Sequence, residues 1–224
     1  MDKKLESRRR LNHYDVAEVI DRFEINKVFD CQTLANWVSG SLVPLKPSYM
    51  EIVEEARQQL SYKWDEWNEE ELKMNFISIV IFVAQLDVPK QINTYFERKL
   101  TGVVQEVPIS VTVDCMLASP TYSGRPKTPY FFLQEFKRSL GDSHDPEGQM
   151  LAAMILSQAL NADQHPLYGS WIQGRFWYFT TLVNNDYCVS KPFDATEPDD
   201  LLQIIHVLHR LKELIMNQYV IGIE

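Results

Sequence analysis

Ser110-Val111-Thr112-Val113-Asp114, then Pro129-Tyr130-Phe131-Phe132-Leu133-Gln134-Glu135-Phe136-Lys137, then a helical segment that opens on Gln149, decide the reading of this chain. The first run is a short apolar strand ended by an aspartate, within a strand candidate that opens at Ile109, just after Pro108, and carries through Val113 toward Leu117. The second is almost continuously apolar up to its Glu-Phe-Lys triplet, the composition of a central strand covered on both faces. Side chains alternate along a strand, so Glu135 and Lys137 leave one face and Phe136 the other. Two acids and a lysine converging at the edge of a sheet form a donor set for Mg²⁺ and phosphate chemistry and serve packing poorly.

Working outward, residues 119–127 are rich in Pro, Gly and Ser and read as a loop between two strands. A further strand candidate covers 92–97. Downstream, 147–160 has apolar residues at helical spacing, and 171–183 with 187–193 suggests a hairpin turning at Asn184-Asn185-Asp186. A closing helix spans about 198–219. Upstream, helical spacing occupies 14–23 and 31–38, and the prolines in 42–47 mark a connection. A helix starts at Ser48, and a longer one runs over 68–86. Its acidic start, Glu69-Glu70-Glu71, suits a helix N-terminus, and its second half is apolar nearly all round. The order predicts an α/β fold, a mixed central sheet flanked by helices on both faces. Residues 1–47 read as an N-terminal helical extension packed as one unit with a domain over 48–224.

Composition narrows the class. A length of 224 residues with 45% hydrophobic and 24% charged residues is that of a globular domain with a sizeable core. The basic N-terminus, with Arg8-Arg9-Arg10, lacks the apolar stretch of a signal peptide, and the most apolar run, 76–86, is too short to span a bilayer. The expectation is a soluble cytoplasmic protein without a membrane partner. Cys31, Cys115 and Cys188 are widely spaced, which excludes a disulfide framework or a cysteine-rich zinc site; Cys115 and Cys188 read as core residues. A net charge of -9 argues against a generic high-affinity nucleic-acid binder, but it leaves room for an enzyme with a local basic patch.

Asp114, the loop, Glu135-Phe136-Lys137 and the helix at Gln149 resemble the PD-(D/E)XK nuclease superfamily, which has the restriction-endonuclease-like fold. The resemblance covers roughly residues 68–189, and the proline that names the motif is Val113 here. It implies a Mg²⁺-dependent nuclease, with Mn²⁺ as a substitute, that hydrolyses phosphodiester bonds in nucleic acid, with DNA ranked ahead of RNA as substrate. By the same resemblance Asp114 and Glu135 would bind the metal. Lys137 would position the attacking water and stabilise the phosphate, and Gln149 would face the site from the following helix. An acid on the first core helix would join them, with Glu71 the candidate and its neighbour Glu70 next.

Plainer roles stand beside these. Glu135 and Lys137 can form a surface ion pair, Asp114 can be a strand-end turn former, and Gln149 a solvated helix cap. His206 and His209, three apart on the closing helix, read as surface histidines, and His144 and Asp145 as loop polarity. Trp171, Phe176, Trp177, Tyr178 and Phe179 read as strand core rather than as a stacking surface. Arg125, Lys127 and Arg138 flank the motif in sequence and, with Arg175 and the N-terminal arginines, suggest a phosphate-contacting patch. The rival reading is a catalytically inactive nuclease-fold module that binds or interacts within a larger complex. A homodimer formed through the terminal helices is a further possibility.

Overall fold

The computed structural model describes residues 14–40, 44–138 and 145–219; Arg8, Arg9, Arg10 and His144 lie outside them. In chain order the elements are α1 (Val16–Phe23), β1 (Asn26–Val28), α2 (Gln32–Val38), α3 (Pro47–Lys63) and α4 (Glu69–Leu72). A π-helical turn (Lys73–Ile77) leads into α5 (Ser78–Ala84), then β2 (Asn93–Val104), β3 (Val107–Pro120), β4 (Pro126–Lys137) and α6 (Pro146–Asn161). β5 (Leu167–Gln173), β6 (Phe176–Val183), β7 (Asp186–Val189), β8 (Phe193–Asp194) and α7 (Pro198–Tyr219) complete the fold.

The strands form one open sheet of 8 strands in the order β1-β7-β6-β5-β4-β3-β2, with β8 beside β6. It is mixed: β4 and β5 run parallel, as do β1 and β7, and the other neighbours are antiparallel. The parallel β4–β5 step needs a crossover, and α6 supplies it. Each sheet face carries its own core. On one, Leu133, Met116 and Leu182 pack against Met150, Leu151 and Met154 of α6 and Val19 and Phe23 of α1. On the other, Phe132, Tyr168, Trp177 and Phe179 pack against α2, α3, α5 and α7 through residues such as Trp37, Leu60, Val80 and Ile204. Trp37 anchors that second core. Its ring lies edge-on to Tyr168 at 5.0 Å and Phe179 at 5.2 Å, and its Nε1–H donates to Val207 O at 2.8 Å. Gly169 lets α6 approach the sheet, because a Cβ there would lie 2.9 Å from Met154 Sδ.

Three sequence expectations need correction. Residues 171–183 are not one strand: Gly174, at φ 59, turns the chain between β5 and β6. The segment before residue 48 is not purely helical, since β1 pairs in parallel with β7 from Asn26↔Asp186 to Val28↔Cys188. Three residues are too few for a period-two pattern to show. His206 is buried at 6% exposure rather than on the surface, and His209 Nδ1 lies 3.2 Å from Ala84 O. The aromatic run does pack as strand core: Trp177 and Phe179 are fully buried, and Trp171 stacks on Tyr178 at 4.7 Å. Cys115 and Cys188 are buried as expected.

Candidate functional site

Asp114 lies within β3, not at its end. Before it, β3 alternates buried Val107, Ile109, Val111 and Val113 with exposed residues; from Asp114 to Ala118 every residue is buried. The alternation changes phase at this point. Val113 and Met116 share the α6-side core, while Cys115 points into the opposite one. The partner strand is irregular at the same level. The β2–β3 ladder passes from Phe96↔Cys115 to Arg98↔Val113 without pairing Glu97, whose φ of 51° is left-handed. A non-glycine residue in that region is strained and tends to mark a special site.

On the other side of β3, pairing with β4 ends at Cys115↔Gln134. Beyond it the Asp114 carboxylate takes over, its Oδ2 accepting the Phe136 backbone N–H at 2.7 Å. β4 continues as an interior strand, so Glu135 and Lys137 are carried out of water at 3% and 8% exposure, with Asp114 at 6%. Lys137 Nζ donates to Glu135 Oε1 at 2.8 Å and to Phe136 O at 2.8 Å. Phe136 itself is buried in the opposite core, as the alternation requires. The α4 helix closes the cluster, with Glu69 Oε2 3.5 Å from Lys137 Nζ.

A second lysine borders the group. Lys73, the first residue of the π-helical turn, lies 2.7 Å from Glu97 Oε1, 3.1 Å from Glu70 Oε1 and 3.7 Å from Asp114 Oδ1. π-helical turns within helices gather at functional sites. Sequence reading passed over Lys73, Glu69 and Glu97. The first two were detectable, being four apart on one helical run and therefore on one face. Glu97 gave no local signal.

Glu71 is not placed with the cluster. Its carboxylate accepts the Asn68 N–H at 2.8 Å while Asn68 Oδ1 accepts the Glu71 N–H at 2.9 Å, a reciprocal capping box. The acid beside the lysine is Glu69, two residues earlier; Glu70 faces Lys73 instead. Gln149 lies on the first turns of α6, half-buried, and its Oε1 has no hydrogen-bond partner among the described residues. No hydrogen bond or ion pair joins it to Asp114, Glu135 or Lys137 among those residues. Asp145 has a structural task, capping α6 through Glu147 N at 3.0 Å and accepting Val16 N–H at 2.8 Å. Two of the flanking cations lie far from the cluster. Arg125 and Lys127 sit at the exposed β3–β4 tip, six residues along β3 from Asp114 and so roughly 20 Å away at about 3.3 Å per residue. Arg175 pairs with Asp194 at 3.2 Å and covers the Trp64 ring.

The electrostatics follow from the burial. Desolvation raises the Asp114 carboxyl to about 6, against the Phe136 hydrogen bond and the two lysines. Burial, then the charge of Asp114, pushes Glu135 to about 8, even with Lys137 beside it. Burial alone would lower both lysines. Glu135 carries Lys137 above its ordinary value, and Glu97, Asp114 and Glu70 do so for Lys73. Two neighbouring buried carboxylates that resist ionisation are a place where a hard cation is favourable, because it offsets both the burial and the repulsion. The donor chemistry thus fits Mg²⁺ or Mn²⁺. Among the described residues no group of three or more His, Cys, Asp or Glu is close enough to hold an ion. A cation here would therefore rest on two carboxylates and on oxygens from water or substrate, as Mg²⁺ commonly does.

No protein-family model matches the chain, and no curated protein matches it. No helix among the described residues is long and apolar enough to cross a membrane.

Proposed function

We propose that the chain is a Mg²⁺-dependent phosphodiesterase of the PD-(D/E)XK type, with the restriction-endonuclease-like fold, acting on DNA before RNA. One observation carries the reading. Asp114, Glu135 and Lys137 are drawn together where β3–β4 pairing stops, in the middle of β3 and at the end of β4, all nearly excluded from water. Burying two acids beside each other costs stability, and packing gives no reason for it.

Asp114 and Glu135 would hold the metal, which supplies charge neutralisation on the phosphate and an acidified water. The residues themselves do the positioning. Phe136 N–H fixes Asp114 Oδ2 and leaves Oδ1 on the side where Lys73 lies, 3.7 Å from its Nζ. Lys137, held by Glu135 and the Phe136 carbonyl, presents a compact charge that can donate to a phosphoryl oxygen or to the attacking water. Lys73 and Glu69 set the field around them.

The second reading, a nuclease-fold module without catalysis, is favoured by the two lysines, which already neutralise the carboxylates internally. Calorimetric titration separates the two. Mn²⁺ should bind wild type with heat that is lost in Asp114→Asn, and DNA cleavage should be lost in Lys137→Ala. A protein that binds neither Mg²⁺ nor Mn²⁺ and cuts neither DNA nor RNA, with Lys137→Ala indistinguishable from wild type, would sink the catalytic reading.

A further inference from the structure

Near the charged cluster, β2, α5 and the segment after α5 line an open pocket of about 480 Å³ that no residue of the cluster lines. Its walls include Ile81, Phe82, Leu86 and Phe96, with Asp87 and Thr94 at the rim. Ile81 and Leu86 are buried, yet Phe82 is 63% and Phe96 45% exposed. The surroundings are fixed. The Tyr49 ring lies edge-on to Phe82 at 5.8 Å, and Gln85 Nε2 donates to Tyr49 Oη at 2.9 Å. Asp87 Oδ1 accepts from Thr94 N at 2.6 Å and from its Oγ1 at 2.7 Å. Behind Gln85, Lys212 Nζ donates to the Gln85 carbonyl at 3.0 Å.

The pocket neighbours the site along two elements. Phe96 immediately precedes Glu97, which is 2.7 Å from Lys73 Nζ. Phe82 follows Lys73 by nine residues on one helical run, roughly 13 Å at about 1.5 Å per residue. A strand with one phosphate at the carboxylates would place a nearby nucleotide here. We infer that this pocket is a subsite for an unpaired nucleobase, held between Phe82 and Phe96, next to a phosphate bound at Asp114, Glu135 and Lys137. The inference rests on the nuclease reading above. Two rigid rings left in water, with polar groups at their margin, suit the face and edge of a base. A base inside a duplex must first be unstacked and unpaired, at a cost of a few kcal/mol, so the pocket favours single-stranded or frayed substrate.

The test uses the whole protein with Ca²⁺ in place of Mg²⁺ and a short single-stranded DNA carrying 2-aminopurine. Wild type should quench the probe on binding. Phe82→Ala with Phe96→Ala should abolish the quench and weaken strand binding about ten-fold or more, as loss of base–aromatic stacking does. Phe82→Tyr should restore both, and duplex affinity should stay unchanged. Both rings are exposed, so the variants keep the core. If wild type cleaves DNA but the double variant binds and cuts single strands normally, the subsite is wrong and the nuclease reading stands. If wild type binds the strand with quenching but never cleaves, catalysis fails and the subsite stands. A wild-type dimer that dissociates in the double variant, with strand binding intact, overturns the inference and assigns the face to a second copy.

Discussion

The β3–β4 hairpin carries lysines at both ends, in opposite circumstances. At the tip, Arg125 and Lys127 are exposed around Tyr122, whose ring is fully in water. At the base, Lys137 is 8% exposed and held by Glu135, Glu69 and a backbone carbonyl. Only ten residues separate Lys127 from Lys137 in sequence, yet the strand carries them to opposite ends of the sheet. A solvated lysine costs nothing and needs no purpose; a desolvated one requires carboxylates, and those carboxylates require a reason of their own. The contrast locates chemistry by what burial costs, and motif proximity locates it poorly.

The largest test of that contrast compares Lys137→Met with Lys127→Met. On the nuclease reading, removal of the buried lysine should lower DNA cleavage by about 10²- to 10³-fold, the usual loss when one aimed cation or donor is removed. The tip variant should stay within about two-fold at moderate salt. Single-turnover cleavage measures both. Equal losses would mean that the tip contributes to the site after all, and no loss in either would leave the base a structural ion network.

The second test reads the burial through pH. Glu135 has its folded pKa raised from 4.5 to about 8. Between those values the unfolded chain has released this proton while the folded protein keeps it, so stability is greatest below about 4.5 and falls as pH rises to about 8. Asp114, raised from 3.8 to about 6, acts in the same direction over a lower window. Glu135→Gln should therefore raise the melting temperature relative to wild type at about pH 9 and lose that advantage at about pH 4. Mn²⁺ binding should tighten with rising pH over the same window, because the ion displaces the protons. A flat stability difference across the range would show that Glu135 ionises as freely as a surface acid.

How much of this could be read beforehand depended on the range of the cause. Alternation alone put Glu135 and Lys137 on one face and Phe136 on the other, because strand geometry is local. The helix over 198–219 and the crossover helix were equally legible, since amphipathic spacing declares itself within a few turns. Three things were not. The change of face at Asp114 has no local signature, because it falls where β3 lies opposite the left-handed Glu97 of β2, seventeen residues away. β1 was invisible, as three residues gain strand identity only from β7. The tip arginine and lysine were placed near the site because sequence distance ignores the direction of a hairpin.

The smallest effect concerns which acid of Glu69-Glu70-Glu71 matters, where sequence could not set the register. Glu71 closes the capping box with Asn68, so Glu71→Ala should cost about 0.5–1 kcal/mol of stability and leave metal binding and cleavage unchanged. Glu69 has the reverse profile. It is one-third exposed and 3.5 Å from Lys137, so Glu69→Ala should barely move the melting temperature while changing the pH dependence of cleavage. The cause is its charge: Glu69 acts on Asp114, Glu135 and Lys137 together, raising all three pKa values. Thermal melts paired with cleavage pH profiles decide between them. If Glu71→Ala shifts the profile and Glu69→Ala does not, α4 is turned by part of a helical turn relative to the arrangement described, and the base of the hairpin would have to be rebuilt around a different acid.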